Sequence, residues 1–469
     1  VGKESTEMFE PLRFLHVTDV HLDCALQDVG PVSGPVQSIA HEGTRAAFDR
    51  MIAGAIEQKV DFVLLTGNTF RDSHRSLRTR LRLLKKLEEL HDRGIEVFVL
   101  PGQDDPESAW RKIPELPGNV TLLTSDQANE NEEEPDLAVA VVRDGRVIAT
   151  ITFGPLDELS AAYVVPDSLE HSEDSNVGPP PSTNGHSRIA PFRVGLISAW
   201  PTEPNPHPQD STELIDRLSA CHCDYLAVPA SDHMARAMGW CFDAGQTRNT
   251  QDGIAHNPGP LQPLDSHATG PHGATLIEVD RDGEIRGTFL PFASLRRLQF
   301  EVPVEPESGL EDLSEAMLLQ LENETVQAGE QAWLITWKLH GCGELFDSLS
   351  DPEMRDLLIE TLPQSLPENE GVLVEHQFQL NKSPLPYGHD EAISDLERLY
   401  REALEATISE DTSALKPVLG KVLADVEQLE NSNWRDRLLP LIPELDSQRI
   451  YAKAYALGNE WFRSSPDED

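Results

Sequence analysis

The sequence is short of positive charge, of cysteine and of long apolar stretches. It has 38 Lys and Arg against 81 Asp and Glu, a formal net charge of −43 at pH 7. Such an acidic chain repels nucleic-acid phosphates unless a local basic surface, bound cations or a partner supplies positive charge. The imbalance is densest at residues 301–469, which have 12 basic and 36 acidic side chains. That third is therefore a poor candidate for direct contact with DNA.

The five cysteines are few, odd in number and scattered, which excludes a disulfide framework and favours a reducing cytoplasm. The run Cys-His-Cys at 221–223, with Cys241, is a weak zinc candidate because structural zinc sites prefer wider cysteine spacing. No run of eighteen apolar residues predicts a membrane span. The first residues, VGKESTEMFEPLRF, have no apolar signal-peptide core. We therefore expect a cytoplasmic protein without membrane association.

The first 120 residues alternate between apolar runs and amphipathic stretches. The pattern predicts strands at 12–17, 61–66 and 95–102, and helices at 42–58 and 78–94. This βαβαβ order is typical of a layered α/β fold. Further along the chain, the segments 139–154 and 274–292 each read as a hairpin that turns at Asp-Gly.

Composition divides the rest of the chain. Segments near 126–136 and 166–188 are acidic or rich in Pro and Ser, which predicts disordered insertions. A linker is predicted at 301–309. We expect an α/β core at 1–300, a small α/β cap domain at 301–385 and a helical tail at 386–469. The apolar positions of the tail either pack on the cap or dock a partner, and periodicity does not separate these alternatives.

Polar side chains follow four of the predicted strands. They are Asp19 and His21, Asn68, the turn 102–105, and the stretch 230–233. Strand ends at one edge of a sheet place such groups at a common crevice. The Asp-x-His pattern is common by chance, and without further context a capping Asp beside a surface His is the favoured explanation.

The order of the motifs is more specific than any one of them. The runs RFLHVTDVHLDCALQ, VDFVLLTGNTF, GIEVFVLPGQDDP, FRVGLIS and CDYLAVPASDH follow one another along the chain. This series resembles the calcineurin-like metallophosphoesterases, and most closely the SbcD/YhaO-type DNA-repair exonucleases. The resemblance implies a four-layer αββα sandwich with a small cap domain and a helical tail. It also implies a two-metal site, usually manganese, that binds the scissile phosphate and generates the attacking hydroxide.

The family pattern is degenerate in this sequence. By resemblance, Asp19 and His21 are retained metal ligands, and Asp104 stands where the family has a proton-donating His. The substituted ligand positions are Asn68, Gln103, Ser198, Ala230 and Asp232. A neutral amide at Asn68 holds two cations together poorly, and an ionised Asp104 repels phosphate. We therefore expect Mn²⁺ or Mg²⁺ at reduced occupancy, or no metal.

The resemblance favours a catalytically weak or inactive subunit that acts in DNA metabolism with an SbcC-like coiled-coil ATPase. A homodimer is an alternative assembly. One alternative is an active metal-dependent phosphodiesterase or nuclease with a rebuilt site. Another is a non-catalytic DNA- or nucleotide-binding module that uses the basic segment 71–86. That segment has seven Lys and Arg, and its candidate phosphate-binding residues are Arg71, Arg75, Arg78 and Arg82. A solvated helix face explains the segment equally well.

Overall fold

The computed structural model describes residues 9–74, 76–113, 115–124, 138–161, 190–206, 212–363, 365–366 and 369–382. The two predicted insertions, the predicted helical tail and Arg75 lie outside the described residues. Within the described part, no helix combines the length and apolar character that crossing a membrane requires.

The first sheet has six strands in the order β12-β11-β1-β2-β3-β4. Its strands are β1 (Leu12–Thr18), β2 (Phe62–Thr66), β3 (Glu96–Leu100), β4 (Val120–Leu122), β11 (Gly273–Val279) and β12 (Ile285–Pro291). Strands β1 to β4 are parallel, whereas β11 and β12 form an antiparallel hairpin against β1. The predicted hairpin at 274–292 is therefore confirmed.

The second sheet also has six strands, in the order β5-β6-β7-β8-β10-β9. Its strands are β5 (Ala138–Arg143), β6 (Arg146–Pro155), β7 (Phe192–Ala199), β8 (Tyr225–Ala227), β9 (Thr247–Asn249) and β10 (Ile254–His256). Strands β6, β7, β8 and β10 are parallel, and β5 and β9 are antiparallel edges. The predicted Asp-Gly turn at 144–145 joins β5 to β6.

The helices and the two sheets are arranged in layers. The helices are α1 (Gly34–Gln58), α2 (Leu77–His91), α3 (Glu107–Trp110), α4 (Leu156–Ala161), α5 (Thr212–Ser219), α6 (His233–Ala237), α7 (Leu310–Glu322), α8 (Glu344–Ser348) and α9 (Pro352–Thr361). One apolar cluster joins α1 and α2 to the first sheet, a second lies between the sheets, and a third joins α4 and α5 to the second sheet. The predicted mixed α/β fold is thus confirmed.

Helix α1 begins eight residues before its predicted start at residue 42. Pro35 lies in its first turn, where the missing N–H of proline costs nothing. Val36 and Ala40 are buried in a small apolar cluster with Leu295 and Leu334. The added turns are therefore stabilised by residues distant in sequence, which the local periodicity does not show.

The chain divides into two compact units. The first comprises residues 1–299, 324–336 and 363–377, and the second comprises 300–323, 337–362 and 378–469. A third sheet has the order β13-β14-β16-β15. Its strands are β13 (Leu295–Val304), β14 (Ala332–Gly341), β15 (Ser365–Leu366) and β16 (Asn369–Lys382). The predicted division into a core, a cap and a tail stays a prediction.

The linker predicted at 301–309 is wrong in its first part. Residues 301–304 continue β13, with Val302 and Val304 buried and Glu301 and Pro303 exposed. This period-two burial is that of a half-buried strand. The stretch reads as a linker in the sequence because it is rich in Glu and Pro. Its two alternating valines are too few to indicate a strand by themselves.

Candidate functional site

A cavity of about 340 Å³ lies where strands of both sheets end. Six of the residues predicted for the site line it: Asp19, Asn68, Gln103, Ser198, Ala230 and Asp232. They follow β1, β2 and β3 in the first sheet and end or follow β7 and β8 in the second. The remaining two, His21 and Asp104, lie beside Asp19 but are not part of the lining.

The loops after β1 and β2 are held together by their backbones. The His21 N–H donates to the carbonyl oxygen of Asn68 at 2.8 Å, and the Leu22 N–H donates to that of Thr69 at 2.8 Å. Asp19, His21 and Asn68 all have positive φ, at 49°, 45° and 46°. Such backbone angles are unfavourable for residues other than glycine, and they persist where surrounding bonds enforce them. The polar side chains are therefore presented from a rigid, strained turn.

Gly102 permits the close approach of the third loop. A Cβ atom at this position would lie 2.4 Å from the backbone nitrogen of Asn68. Only glycine fits such a contact, since real Cβ atoms do not approach a backbone atom so closely. The turn 102–105 is consequently packed directly against the loop that carries Asn68.

Asn68 is bonded through both ends of its amide. Its Nδ2 donates to Asp19 Oδ1 at 2.8 Å, and its Oδ1 accepts from the Asp104 N–H at 3.0 Å. The amide orientation follows from its partners, because the Asp104 N–H can only donate and the carboxylate of Asp19 accepts. An N–H donor thus faces the carboxylate of Asp19.

His21 lies between two carboxylates. Its Nε2 is 3.8 Å from Asp19 Oδ1, and its Nδ1 is 3.5 Å from Asp104 Oδ2. Burial lowers the pKa of His21; the two carboxylates oppose this shift and the guanidinium of Arg71 adds to it. Arg71 Nε donates to Asp104 Oδ2 at 3.1 Å. Among the described residues, the buried Nδ1 of His21 has no hydrogen-bond partner.

Asp105 organises the turn, although sequence reasoning assigned it no role. The side chain is fully buried and accepts hydrogen bonds from the N–H groups of Gly102 and Thr69, both at 2.8 Å, and from Trp110 Nε1 at 3.1 Å. Burial raises the pKa of Asp105 to about 6, against the effect of these donors. The sequence signal that could have identified Asp105 is its position between a glycine turn at the end of a strand and a proline.

The loops that follow β1, β2 and β3 lie within a stretch of sequence that matches a known family model. Residues 12–155 match the family model described as calcineurin-like phosphoesterase. This range includes the turns that hold Asp19, Asn68 and Asp104. Over these residues the chain is similar to calcineurin-like phosphoesterases.

Two known proteins are similar to parts of this chain. A Bacillus subtilis (strain 168) protein named "Uncharacterized metallophosphoesterase YhaO" is 34% identical over 283 residues, which are 60% of each chain. The present chain therefore matches less than two thirds of that protein. A solved dimetal phosphatase from Danio rerio covers 60% of this chain and 99% of its own, with 13% identity and a TM-score of 0.31. These last values are too low to support a conclusion about this chain.

Phosphoesterases of this family typically hold two metal ions, and the residues present here do not fit such a centre. The described part of the chain contains no group of three or more His, Cys, Asp or Glu side chains placed to hold a metal ion. Asp19 Oδ1 already accepts from Asn68, and Asp232 Oδ1 accepts from the Ala235 N–H at the start of α6. Ser198 and Ala230 contribute neither a carboxylate nor an imidazole.

The zinc candidate at 221–223 also lacks a suitable donor set. Burial raises the pKa of Cys221 to about 12 and that of Cys223 to about 11, so both thiols stay protonated at neutral pH. Zinc binds the thiolate form, and the described residues supply no third ligand beside these two. These cysteines lie between α5 and β8 and are buried in the apolar cluster that joins α4 and α5 to the second sheet.

Most cations of the basic segment 71–86 are paired with carboxylates. Ion pairs join Arg71 to Asp104, Arg80 to Asp72, Arg82 to Asp49, and Lys86 to Asp49 and Glu89. Arg78 and Lys85 are exposed and form no ion pair with another described residue. The charge available to a phosphate is therefore much smaller than the sequence suggested.

Proposed function

We propose that this chain is a homologue of the SbcD/YhaO-type exonucleases that has lost most of its metal site. It then acts in DNA metabolism as a catalytically weak or inactive subunit. The hydrogen bond from Asn68 Nδ2 to Asp19 Oδ1 carries the proposal. In a dimetal hydrolase, cations balance such a carboxylate and generate the attacking hydroxide. Here a neutral amide satisfies Asp19 without a cation.

Asp104 supports the same proposal. At the position where the resemblance expects a proton donor, this side chain accepts from Arg71. A general acid must carry a proton that it can give to the leaving group. Asp104 instead serves as the acceptor of a hydrogen bond from a guanidinium, which is the opposite of the donor role.

Metal content and hydrolysis test the proposal together. The purified full chain is incubated with excess Mn²⁺, desalted and analysed by elemental mass spectrometry, and then assayed on bis(4-nitrophenyl) phosphate and single-stranded DNA. We expect well under one retained ion per chain and no hydrolysis above background. Retention of about two ions per chain, with hydrolysis that Asp19→Ala abolishes, would overturn the proposal. Circular dichroism of the same samples controls for folding.

A second candidate, an active hydrolase with one metal ion, has one observation in its favour. The buried Nδ1 of His21 has no hydrogen-bond partner among the described residues and lies near two carboxylates. The measurement of metal content and hydrolysis also distinguishes this candidate from the inactive subunit. It requires about one ion per chain and hydrolysis, both lost in His21→Ala and both kept in His233→Ala, which changes an exposed His on α6.

The proposed partner is an SbcC-like coiled-coil ATPase, and the resemblance to SbcD/YhaO-type proteins supports it. Sedimentation velocity of the full chain, alone and with such an ATPase, tests the assembly. A mixed species of larger mass is expected. A doubled mass of the chain alone would favour the homodimer, and two unchanged boundaries would reject the partner.

Direct DNA binding is the remaining alternative, and it depends on Arg78 and Lys85 of α2. If this face binds phosphates, Arg78→Glu with Lys85→Glu reduces the affinity for DNA, and the slope of log affinity against log salt falls by about 2. Fluorescence anisotropy over a salt series measures both. Arg286→Glu, an exposed charge reversal on β12, is the matched control. Equal loss in the control would exclude α2 as the binding face.

A further inference from the structure

The cavity beside Asn68 has an unusual charge for a phosphate site. Among the described residues that line it there is no Lys, Arg or His, whereas Asp19 and Asp232 contribute two carboxylates. The nearest guanidinium that contacts the site, Arg71, donates to Asp104 outside the lining. Asn68 and the Ala235 N–H each donate to one of these carboxylates, but both donors are neutral, so no positive charge on the described wall balances them. The cavity therefore repels anions and attracts cations.

One side of the cavity is suited to an apolar body. Trp200, Met234 and Met238 are part of its wall, and Met234 is 69% exposed. Aromatic faces bind organic cations through cation–π interaction, and methionine adapts to irregular ligands. Its volume, about 340 Å³, is enough for a small organic molecule.

Trp200 also has an unused donor. Its Nε1 is buried, and no hydrogen-bond partner for it lies among the described residues. Buried polar atoms are nearly always bonded, so an isolated N–H at a cavity wall indicates that an acceptor belongs there. Because this atom is closed to solvent in the structure, a hydroxyl or carbonyl oxygen on a bound molecule reaches it only if the indole ring shifts.

We infer that this cavity binds a small organic ammonium compound that has an apolar body and an oxygen acceptor. The ammonium group is placed at the Asp19 and Asp232 carboxylates and the apolar body against Trp200. The inference rests on the proposed function, because two metal ions at Asp19 would reverse the charge of the cavity. It differs from a phosphate ester site in the sign of the ligand charge.

A matched set of three probes tests the sign of that charge. Phenylethanolamine is a cation, 1-phenyl-1,2-ethanediol is its neutral analogue and mandelate is its anionic analogue, and all three share the ring and a hydroxyl group. Ligand-observed NMR titration of the full chain in EDTA measures each dissociation constant. We expect the ammonium probe to bind about tenfold more tightly than the diol, and mandelate not to bind detectably.

Two Asp-to-Asn variants locate the binding. Asp232→Asn removes one carboxylate but keeps the helix cap, since asparagine caps as well as aspartate. It should weaken the ammonium probe by about fivefold and leave the diol unchanged. Asp144→Asn, in the β5–β6 turn outside the cavity, has a positive φ that asparagine tolerates and should change neither affinity.

Equal binding of all three probes, preference for mandelate, or no binding of the ammonium probe would overturn the inference. An equal loss of affinity for the ammonium probe in Asp232→Asn and Asp144→Asn would also overturn it. Manganese content, measured on the same preparation without EDTA, separates the two proposals. About two retained ions would reject the proposed function first, whereas a metal-free chain that binds no ammonium probe would reject only the inference.

Discussion

At the residue scale, Asn68 and Asp19 form the contact on which the proposed function depends. Asn68→Asp replaces the donor that faces Asp19 Oδ1 with a second carboxylate. In the absence of metal we expect the variant to lose about 1–3 kcal/mol of unfolding free energy, because one hydrogen bond is lost and like charges approach. Urea unfolding in EDTA measures the loss.

The same variant should respond to metal when the wild type does not. If the new carboxylate pair binds Mn²⁺, the metal raises the melting temperature of Asn68→Asp and leaves that of the wild type unchanged. Asn205→Asp, at a buried amide elsewhere in the first compact unit, controls for a general effect of the added charge. Equal stability of Asn68→Asp and the wild type in EDTA would contradict this account of the site.

Asp105 should make the stability of the domain depend on pH. Its folded pKa of about 6 lies above the unfolded value of 3.8, so the folded state binds the proton first and stability rises as pH falls through this window. Asp105→Asn removes this linkage. The cost of the substitution should therefore grow by up to about 3 kcal/mol from pH 7 to pH 4. Urea unfolding of both proteins at each pH measures it, and a pH-independent difference would refute it.

At the scale of elements, His256 links the two large sheets. Its Nδ1 bonds with Thr247 Oγ1 of β9 at 2.7 Å, and its Nε2 with Thr275 Oγ1 of β11 at 2.8 Å. Burial lowers the pKa of His256 to about 4. A buried neutral imidazole thus joins hydroxyl groups of both sheets, and its protonation requires a charge between them.

The folded state resists protonation of His256. As pH falls, the effect of this residue on stability should therefore be opposite in sign to that of Asp105. Between the unfolded pKa of 6.5 and the folded pKa of about 4, the unfolded state binds the proton first and stability falls as pH falls. This contribution is about 3 kcal/mol. His256→Gln should remove it, so that the variant loses less stability than the wild type from pH 7 to pH 4. A parallel pH profile would show that His256 is not the group that titrates.

Element prediction succeeded where local pattern and environment agree. Strands β1 to β3 and the two Asp-Gly hairpins follow from apolar runs and turn residues within a few positions. The start of α1 was missed because Val36 is buried by segments distant in sequence, and the end of β13 because the alternation around Val302 is short. On α2, the sequence showed the cations but not their partners, since Asp49 and Asp72 precede the helix in the chain.

At the scale of the whole molecule, the net charge of −43 opposes the compact state. Salt screens this repulsion, with a Debye length near 10 Å at about 0.1 M. We expect the melting temperature to rise by about 2–4 °C between low salt and about 0.3 M KCl. Differential scanning calorimetry in KCl and in NaCl measures this and excludes a specific effect of potassium. A fall in melting temperature would show that attractive ion pairs dominate instead.

The sequence by itself determined the layered α/β architecture and the positions of the strand-end turns. Apolar periodicity and turn chemistry act over short distances, and the motif order carried the resemblance. Through that resemblance it also predicted that Asn68 stands at a substituted ligand position and Asp104 at the position of a proton-donating His. Only the tertiary structure decided how those side chains are used, because the donor to Asp19, the partner of Arg71 and the burial of Asp105 depend on loops that meet after three separate strands. These hydrogen bonds and this burial arise only when the loops come together, so no single segment of the sequence predicts them.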